Sequence, residues 1–179
     1  FVFGGIGLGR VDGNGITGVG IQITGSGGTV RNSTIFENGN TGVKLDNTAD
    51  NNIENNVIRS NAVDNTASDG IQLSNVSNTT ILSNEIVDNG GYGIDFVIGN
   101  NNTITVQSNL IKGNGNSSNT EDAGIGLRNG QDNIISQNTI TENSGDGIII
   151  RNNQLGNLIS QNSIFANGEL GIDLDAGSG

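Results

Sequence analysis

Charged side chains that could bind or cleave a sugar recur at equivalent positions of one short pattern, Gly-Ile-x-Leu. Asp95 and Asp173 stand at the x position of two copies, and Arg128 and Arg151 directly follow two others. Two carboxylates can act as acid and base on a glycosidic bond when they lie about 5–9.5 Å apart. Adjacent arginines can hold the carboxylate of an acidic sugar through paired hydrogen bonds. These four residues form the candidate ligand face of the chain.

The chain lacks a complete set of residues for cleavage of a glycosidic bond or for proton transfer at an acidic sugar, and we assign no catalytic residue. Asp95 and Asp173 lie three coils apart, which is about 14 Å if successive copies stack as strands about 4.8 Å apart. Proton transfer at an acidic sugar needs a positioned base, yet the chain has no His and a single tyrosine, Tyr92. Tyr92 precedes a glycine at a bend, which favours a packing role. The residues favour a chain without enzyme activity; the alternative is a polysaccharide lyase, hydrolase or epimerase.

Acidic residues at predicted bends are candidate ligands for a calcium ion. Six to eight oxygens must converge on a bound calcium ion, and the loop 119–122 and the bend from Asp46 to Asp50 could supply some of them. No run of the sequence matches a known calcium-loop pattern. We therefore predict no cofactor and no metal site, with Ca²⁺ as the alternative, and expect the acids to be solvated: Asp12, Asp46, Asp50, Asp69, Glu121, Asp122, Asp146 and Asp175.

Three short apolar segments per period must position these side chains. Between successive Gly-Ile-x-Leu copies lie a Thr-Ile or Asn-Ile pair, as in Thr80-Ile81 and Thr103-Ile104, and the pattern Asn-x-Ile-x-x-Asn. Apolar and polar residues alternate within each segment, which is typical of β-strands. Three strands per roughly 23 residues predict an all-β, right-handed, single-stranded parallel β-helix of about seven coils. The copies begin at Gly20, Gly42, Gly70, Gly93, Gly124, Gly147 and Gly171.

Stacked coils place equivalent residues in columns, so that Ile stacks on Ile inside the solenoid and Asn on Asn at its bends. Each side-chain amide of such a ladder can donate to the next coil and accept from the previous one. Asn also tolerates the left-handed backbone of a tight bend. We predict two structural ladders: Ser33, Asn56, Asn84, Asn109, Asn138 and Asn162 in one, and Asn38, Asn61, Asn89, Asn114, Asn143 and Asn167 in the other.

Two coils are longer than the rest, and both are extended at the same place. The extra residues follow Asn61 and Asn114, so both insertions project from one corner of the predicted solenoid. Loops on one side of a repeat array often carry its binding site. We predict one β-helix domain over 1–179, with a cap or lead-in strand at 1–17, repeat coils at 18–174 and a tail at 175–179, as part of a longer chain.

Composition and charge exclude several classes of function. The formal net charge is −11 and the pI is about 4.1, which argues against nucleic acid or anionic membrane as partners, since both attract basic surfaces. The absence of Cys excludes disulfides and thiolate metal sites. No apolar run approaches the roughly 20 residues of a membrane span. Unpaired strand edges at the ends of a solenoid favour end-to-end stacking with itself or with neighbouring repeat domains.

The repeat resembles that of the right-handed β-helices of the pectate-lyase-like superfamily, over about Gly18 to Leu174. The stretch from Asn157 to Leu174 is similar to β-helix regions of large secreted bacterial and cyanobacterial surface proteins. This resemblance implies an exported chain, secreted or at the cell surface. We expect a structural or adhesive module that self-associates into an extracellular filament. The alternative that the superfamily implies is a protein that binds or acts on acidic polysaccharide, as a lyase or epimerase does.

Overall fold

The computed structural model describes residues 2–3, 9–12, 18–62, 68–97, 99–116, 122–152 and 155–174, and they form a parallel β-solenoid. Short runs of β-branched residues favour strands, and the Gly and Asn residues between them permit bends. No helix occurs among these residues, and therefore none that could cross a membrane. The predicted tail at 175–179 and the centres of the two insertions, 63–67 and 117–121, lie outside the described residues.

Most of the strands are three residues long, and they follow one another at short intervals along the chain. In chain order they are β1 (Val2–Phe3), β2 (Gly9–Asp12), β3 (Ile21–Ile23), β4 (Thr29–Arg31), β5 (Ser33–Phe36), β6 (Val43–Ala49), β7 (Asn52–Glu54), β8 (Val57–Arg59), β9 (Ile71–Ser77), β10 (Thr80–Leu82), β11 (Glu85–Val87), β12 (Ile94–Phe96), β13 (Thr105–Gln107), β14 (Leu110–Lys112), β15 (Ile125–Leu127), β16 (Ile134–Ser136), β17 (Thr139–Thr141), β18 (Ile148–Ile150), β19 (Leu158–Ser160), β20 (Ser163–Phe165) and β21 (Ile172–Leu174).

Every third strand belongs to the same sheet, so three parallel sheets of seven strands run along the solenoid axis. Sheet A runs from β1 to β19, sheet B from β2 to β20, and sheet C from β3 to β21. The predicted all-β parallel β-helix with three strands per coil is therefore confirmed. Between β3 and β21 the chain completes six turns, against the seven or so coils predicted from the pattern.

The core is a set of columns of β-branched side chains inside the solenoid. In sheet B, for example, Ile58, Ile86 and Ile111 pair in register on successive coils, and all are fully buried. Sheet C contributes two inward residues per strand, such as Ile94 and Phe96. This dry interior fixes which residues of each strand must point outward, and so it positions the outer face described below.

Both asparagine ladders are present at the bends. In the second ladder, for example, Asn89 Nδ2 donates to Asn114 Oδ1 over 2.9 Å, and the backbone N–H of Asn89 donates to the same oxygen over 3.1 Å. Its Nδ2 also donates to the carbonyl of Ile58, one coil earlier. Each amide thus satisfies backbone groups as well as its neighbour. The first ladder begins at Ser33, whose backbone N–H donates to Asn56 Oδ1 over 3.1 Å.

In the coil that contains β13, the register differs by two residues from the sequence prediction. The pattern equated Ile104 with Ile81, but the structure pairs Ile81 with Val106. Nine positions lead from Phe96 to the first residue of β13, whereas seven lead from Leu127 to the first residue of β16. This longer connection moves the strand two residues along the chain. Because Ile104 and Val106 are both fully buried, hydrophobicity alone could not distinguish the two registers.

Candidate functional site

Sheet C carries a group of polar side chains on its outer face. The register places Gln72 beside Asp95 on neighbouring strands, and Asp95 beside Gly126. Asp69 and Tyr92 lie three residues before Gln72 and Asp95, so they too occupy equivalent positions one coil apart. We define the Arg128 site as Asp69, Gln72, Tyr92, Asp95 and Arg128.

Asp95 and Arg128 form the charged centre of the Arg128 site. Arg128 Nε donates to Asp95 Oδ1 over 2.9 Å, and Arg128 Nη2 donates to Asp95 Oδ2. These paired hydrogen bonds fix the plane of the guanidinium. Burial raises the pKa of Asp95 above its usual range, and the hydrogen bond from Arg128 opposes that rise. The Asp95 side chain is 1% exposed and the Arg128 side chain 36% exposed, so the pair leaves mainly positive charge at the surface.

Tyr92 supports the Arg128 guanidinium from below. Its ring lies over Gly126, where an added Cβ would stand 2.7 Å from Tyr92 Cε1, and it packs with Ala123 and Ile149. Arg128 Cζ lies 5.1 Å from the ring centroid, within cation–π range. Burial raises the pKa of Tyr92 to about 12. The phenol is therefore neutral at physiological pH and forms an apolar wall.

Asp69 is the second buried carboxyl group of the site. Its Oδ1 accepts the backbone N–H of Tyr92 over 3.0 Å, and its Oδ2 accepts Gln72 Nε2 over 3.0 Å. Burial, followed by the charge of Asp95, raises the pKa of Asp69 to about 8. Asp69 is therefore largely protonated at neutral pH, because its pKa lies above 7.

The local sequence Asp-Gly-Ile builds this arrangement and occurs at both Asp69 and Asp146. In each case the carboxyl group accepts the backbone N–H of the residue one coil later, Tyr92 for Asp69 and Leu170 for Asp146. Burial also raises the pKa of Asp146. A carboxyl group in front of the glycine therefore joins two coils where the column lacks an asparagine ladder.

The structure brings together two of the four residues predicted for the ligand face, Asp95 and Arg128. Arg151 follows β18, one coil on from Arg128, and it lies within electrostatic range of Tyr92. Asp173 is on β21, three strands from Asp95 in sheet C, and its charge acts on Asp146 instead. The predicted separation of Asp95 and Asp173 therefore rules out a shared reaction between them.

The expectation that the acids at the bends are solvated is wrong for three of them. Asp69, Asp122 and Asp146 are buried, because the backbone of the neighbouring coil covers them. The sequence reasoning consequently missed Asp69 and Gln72, and it gave Tyr92 only a packing role. The Asp-Gly-Ile sequence at Asp69 and Asp146 was the available signal for burial, because a solvated acid is not expected at the same position before that glycine in two coils.

The predicted alternative of a calcium site has no support from side-chain geometry in the part of the chain that the structure describes. There, no three acidic side chains lie close enough together to hold a metal ion. Asp46 hydrogen-bonds its neighbour Asn47, and Asp50 accepts from Asn78 on the next coil. Residues 119–121 of the other candidate loop, including Glu121, fall outside the described ranges.

A family comparison agrees with the geometry. The family model for the right-handed β-helix region matches residues 9–119 and 116–179. The chain belongs to the right-handed β-helix family. A comparison of this β-helix with curated proteins gives no match. Solved structures, among them an alginate epimerase and a pectate lyase, share this fold.

The β-helix is similar to the periplasmic alginate epimerase AlgG, with a TM-score of 0.75 and 20% identity over 87% of this chain and 38% of that chain. It is similar to pectate lyase Pel9A, with a TM-score of 0.61 and 17% identity over 87% and 43%. The A-module of the Azotobacter vinelandii mannuronan C-5 epimerase AlgE6 gives 0.54 and 17% over 89% and 55%. The β-helix thus spans less than two thirds of each protein, and identities this low show a shared fold alone.

Proposed function

We propose that this β-helix binds acidic polysaccharide on the outer face of sheet C, as an adhesive module of an exported protein. The position of Arg128 carries the proposal. Its guanidinium is held in one plane by Asp95 and supported by the Tyr92 ring, while 36% of its side chain is exposed. A cation oriented before the ligand arrives loses little freedom on binding.

The ligand class follows from the chemistry of this cation. A guanidinium offers a planar pair of donors that matches a carboxylate, and Arg151 adds a second positive charge one coil away, about 4.8 Å along the axis. A polyuronate has a carboxylate on every sugar and can follow both charges. AlgG is described as a periplasmic alginate epimerase and Pel9A as a pectate lyase. These descriptions support the same ligand class and an exported chain.

Burial of the acidic side chains favours binding over turnover. A catalytic acid or base must come within about 3 Å of the proton that it moves. Asp95, Asp69 and Tyr92 are only 1%, 3% and 6% exposed, so a sugar cannot contact them without a rearrangement of the sheet face. The exposed part of the Arg128 site is a cation, which binds an anion but does not abstract a proton at neutral pH.

Titration of the protein with polyguluronate, polymannuronate and polygalacturonate tests the proposal, with a neutral glucan as ligand control. We expect Arg128→Ala to weaken polyuronate binding about tenfold or more, since a charged hydrogen bond contributes about 1.5–3 kcal/mol. Arg128→Lys keeps a positive charge beside Asp95 but loses the planar fork, so it should also weaken binding. It tests the site even if Arg128→Ala disturbs the fold.

Lys112→Ala is the matched control variant. Lys112 lies on the outer face of sheet B, is 44% exposed and pairs with Glu142 over 3.2 Å, so its loss should leave binding within about twofold. Equal binding by wild type and both Arg128 variants would contradict the site. Unsaturated product at 235 nm, or inversion at C5 seen by NMR, would contradict a function limited to binding.

A second candidate function, end-to-end assembly, rests on the last described coil. Phe165, Leu170, Ile172 and Leu174 are exposed there, and strands β19, β20 and β21 each end a sheet. We propose that a second copy of the chain can cover this end through its own first strands. The dependence of particle mass on concentration tests it.

A further inference from the structure

The proton on Asp69 has no role in the binding just described, although Asp69 lies in electrostatic contact with Arg128. We propose that Asp69 is a proton switch of the Arg128 site: when protonated it adds no charge beside the Asp95–Arg128 pair, and when ionised it adds a negative charge and weakens binding of anionic ligands. The effect on ligands rests on the proposed function, whereas the switch itself can be observed without ligand.

The geometry holds the Asp69 carboxyl group where its charge must act on the Arg128 site. Hydrogen bonds from Tyr92 N–H and Gln72 Nε2 occupy both of its oxygens. The backbone N–H of Asp69 donates to Thr41 Oγ1 over 3.3 Å. An added Cβ on Gly91 would stand 2.9 Å from Asp69 Oδ1, so the next coil closes over the carboxyl group. Asp69 therefore cannot turn into solvent when it ionises.

The charged groups that act on Asp69 are few. Asp95 and Arg128 act on it through space, and Tyr92 and Gln72 through hydrogen bonds. Tyr92 stays neutral because its own pKa is about 12. With Asp69 protonated, the charges of Asp69, Asp95 and Arg128 sum to zero. With Asp69 ionised they sum to minus one, and the attraction of the exposed guanidinium for a carboxylate falls.

The pH window follows from the direction of the shift. Burial and the neighbouring charge of Asp95 raise the pKa of Asp69 from 3.8 to about 8, so Asp69 is neutral below this pH and charged above it. One extra negative charge at about 6–8 Å, in an effective dielectric of about 40, corresponds to a loss of roughly five- to tenfold in affinity. Affinity should be level up to about pH 7 and fall through pH 8.

Tyr92 provides a reporter that needs no ligand. Its backbone N–H donates to Asp69 Oδ1 over 3.0 Å, so the NMR chemical shift of this amide proton reports the charge of the Asp69 carboxyl group. Wild type should show a step in this shift with a midpoint near pH 8, well below the ionisation of the phenol. Asp69→Asn keeps a neutral hydrogen-bonding group and should show no step.

Two comparisons then decide the proposal. Polyuronate affinity should fall roughly five- to tenfold from pH 6.5 to pH 9.5 in wild type and stay constant in Asp69→Asn. Asp88→Asn makes the same change in net charge at the end of a sheet B strand, and it should retain both the step and the fall. A missing step in the Tyr92 amide shift, or an equal fall in affinity for Asp69→Asn, would overturn the switch. A clear step with no polyuronate binding at any pH would overturn the proposed function and the effect on ligands, but leave the proton on Asp69 established.

Discussion

The side chain of Asn109 connects three successive coils. Its Nδ2 donates to the carbonyl of Ile81 over 2.9 Å and to Asn138 Oδ1 over 3.0 Å. Its Oδ1 accepts both the backbone N–H and the Nδ2 of Asn84, over 2.8 and 3.0 Å. Only a primary amide has both donors and acceptors in this geometry. The ladder therefore does more than join asparagines to each other, because it also satisfies backbone groups that the bend leaves unpaired.

Replacement of Asn109 by Ala should lower the free energy of unfolding by about 3–5 kcal/mol. The substitution leaves a buried N–H and a buried carbonyl without partners, at about 1–3 kcal/mol each. Asn162→Ala is the matched comparison, since Asn162 belongs to the same ladder but lies partly exposed on the last described coil. We expect it to cost about half as much in urea denaturation. Equal losses at the two positions would show that burial of the ladder does not set its contribution.

Residue types at the ladder positions are easier to predict from the sequence than the burial of the acids. A ladder residue recurs in every coil, so its period reveals it. Asp69 owes its burial to Tyr92 and Gly91 on the next coil, and the Asp-Gly-Ile sequence that signals this contact occurs in only two coils. The pairing of Arg128 with Asp95 likewise depends on a side chain that crosses to a neighbouring strand. The predicted ligand face contained both residues, but the neutral carboxyl group beside them was missed.

The glycine that precedes each strand of sheet C lies where two coils approach each other closely. An added Cβ on Gly124 would stand 2.6 Å from Ile140 Cγ2 and 2.8 Å from the carbonyl oxygen of Gly147. The backbone carbonyl cannot move aside without breaking the sheet. Gly171 is the equivalent residue of β21, and among the described residues an added Cβ there would meet only Ile164 Cγ2, at 3.7 Å. The requirement for glycine thus comes from the coil that follows.

This contrast predicts that Gly124→Ala destabilises the protein and Gly171→Ala does not. Neither glycine has a positive φ, so the two substitutions differ in packing alone. Overpacking of this kind costs about 1–3 kcal/mol, while a substitution with free space is within about 0.5 kcal/mol of neutral. Thermal unfolding followed by circular dichroism measures both. A loss at Gly171 as large as that at Gly124 would mean that the glycines serve the backbone conformation instead.

Strand order and sheet membership were predictable, because three alternating segments per period leave only a solenoid with three sheets. The register of β13 was not. Two apolar residues, Ile104 and Val106, lie two positions apart and both are buried, so the periodicity of two fits either of them. The length of the preceding bend decides, and bends of different lengths look equally polar in sequence. Register in this fold therefore follows from the hydrogen bonds that backbone groups make, such as that from Ile104 N–H to the side-chain oxygen Oδ1 of Asn133.

At the scale of the whole molecule, the described solenoid has two different ends. Strands β1, β2 and β3 form one end of the three sheets, and β19, β20 and β21 form the other. Parallel continuation of the three sheets into a second copy requires head-to-tail stacking, because the first strands of one copy then pair with the last strands of the other. Such contacts use different surfaces on the two partners and do not close into a dimer, so repeated contacts generate a filament.

End-to-end assembly predicts that one inward-facing side chain on the last described strand controls association. Ile172 is 42% exposed although its partner Ile148 is buried, and Ile172→Asp should place a charge between stacked copies and keep particles monomeric. Ile134→Asp is the matched control, because Ile134 is 40% exposed but belongs to β16 on the side of sheet A. Static light scattering across concentration, with negative-stain microscopy, should show mass rising for wild type and Ile134→Asp. Wild-type particles that stay monomeric throughout would exclude the filament, because open strand edges and exposed apolar side chains would then be insufficient for contact.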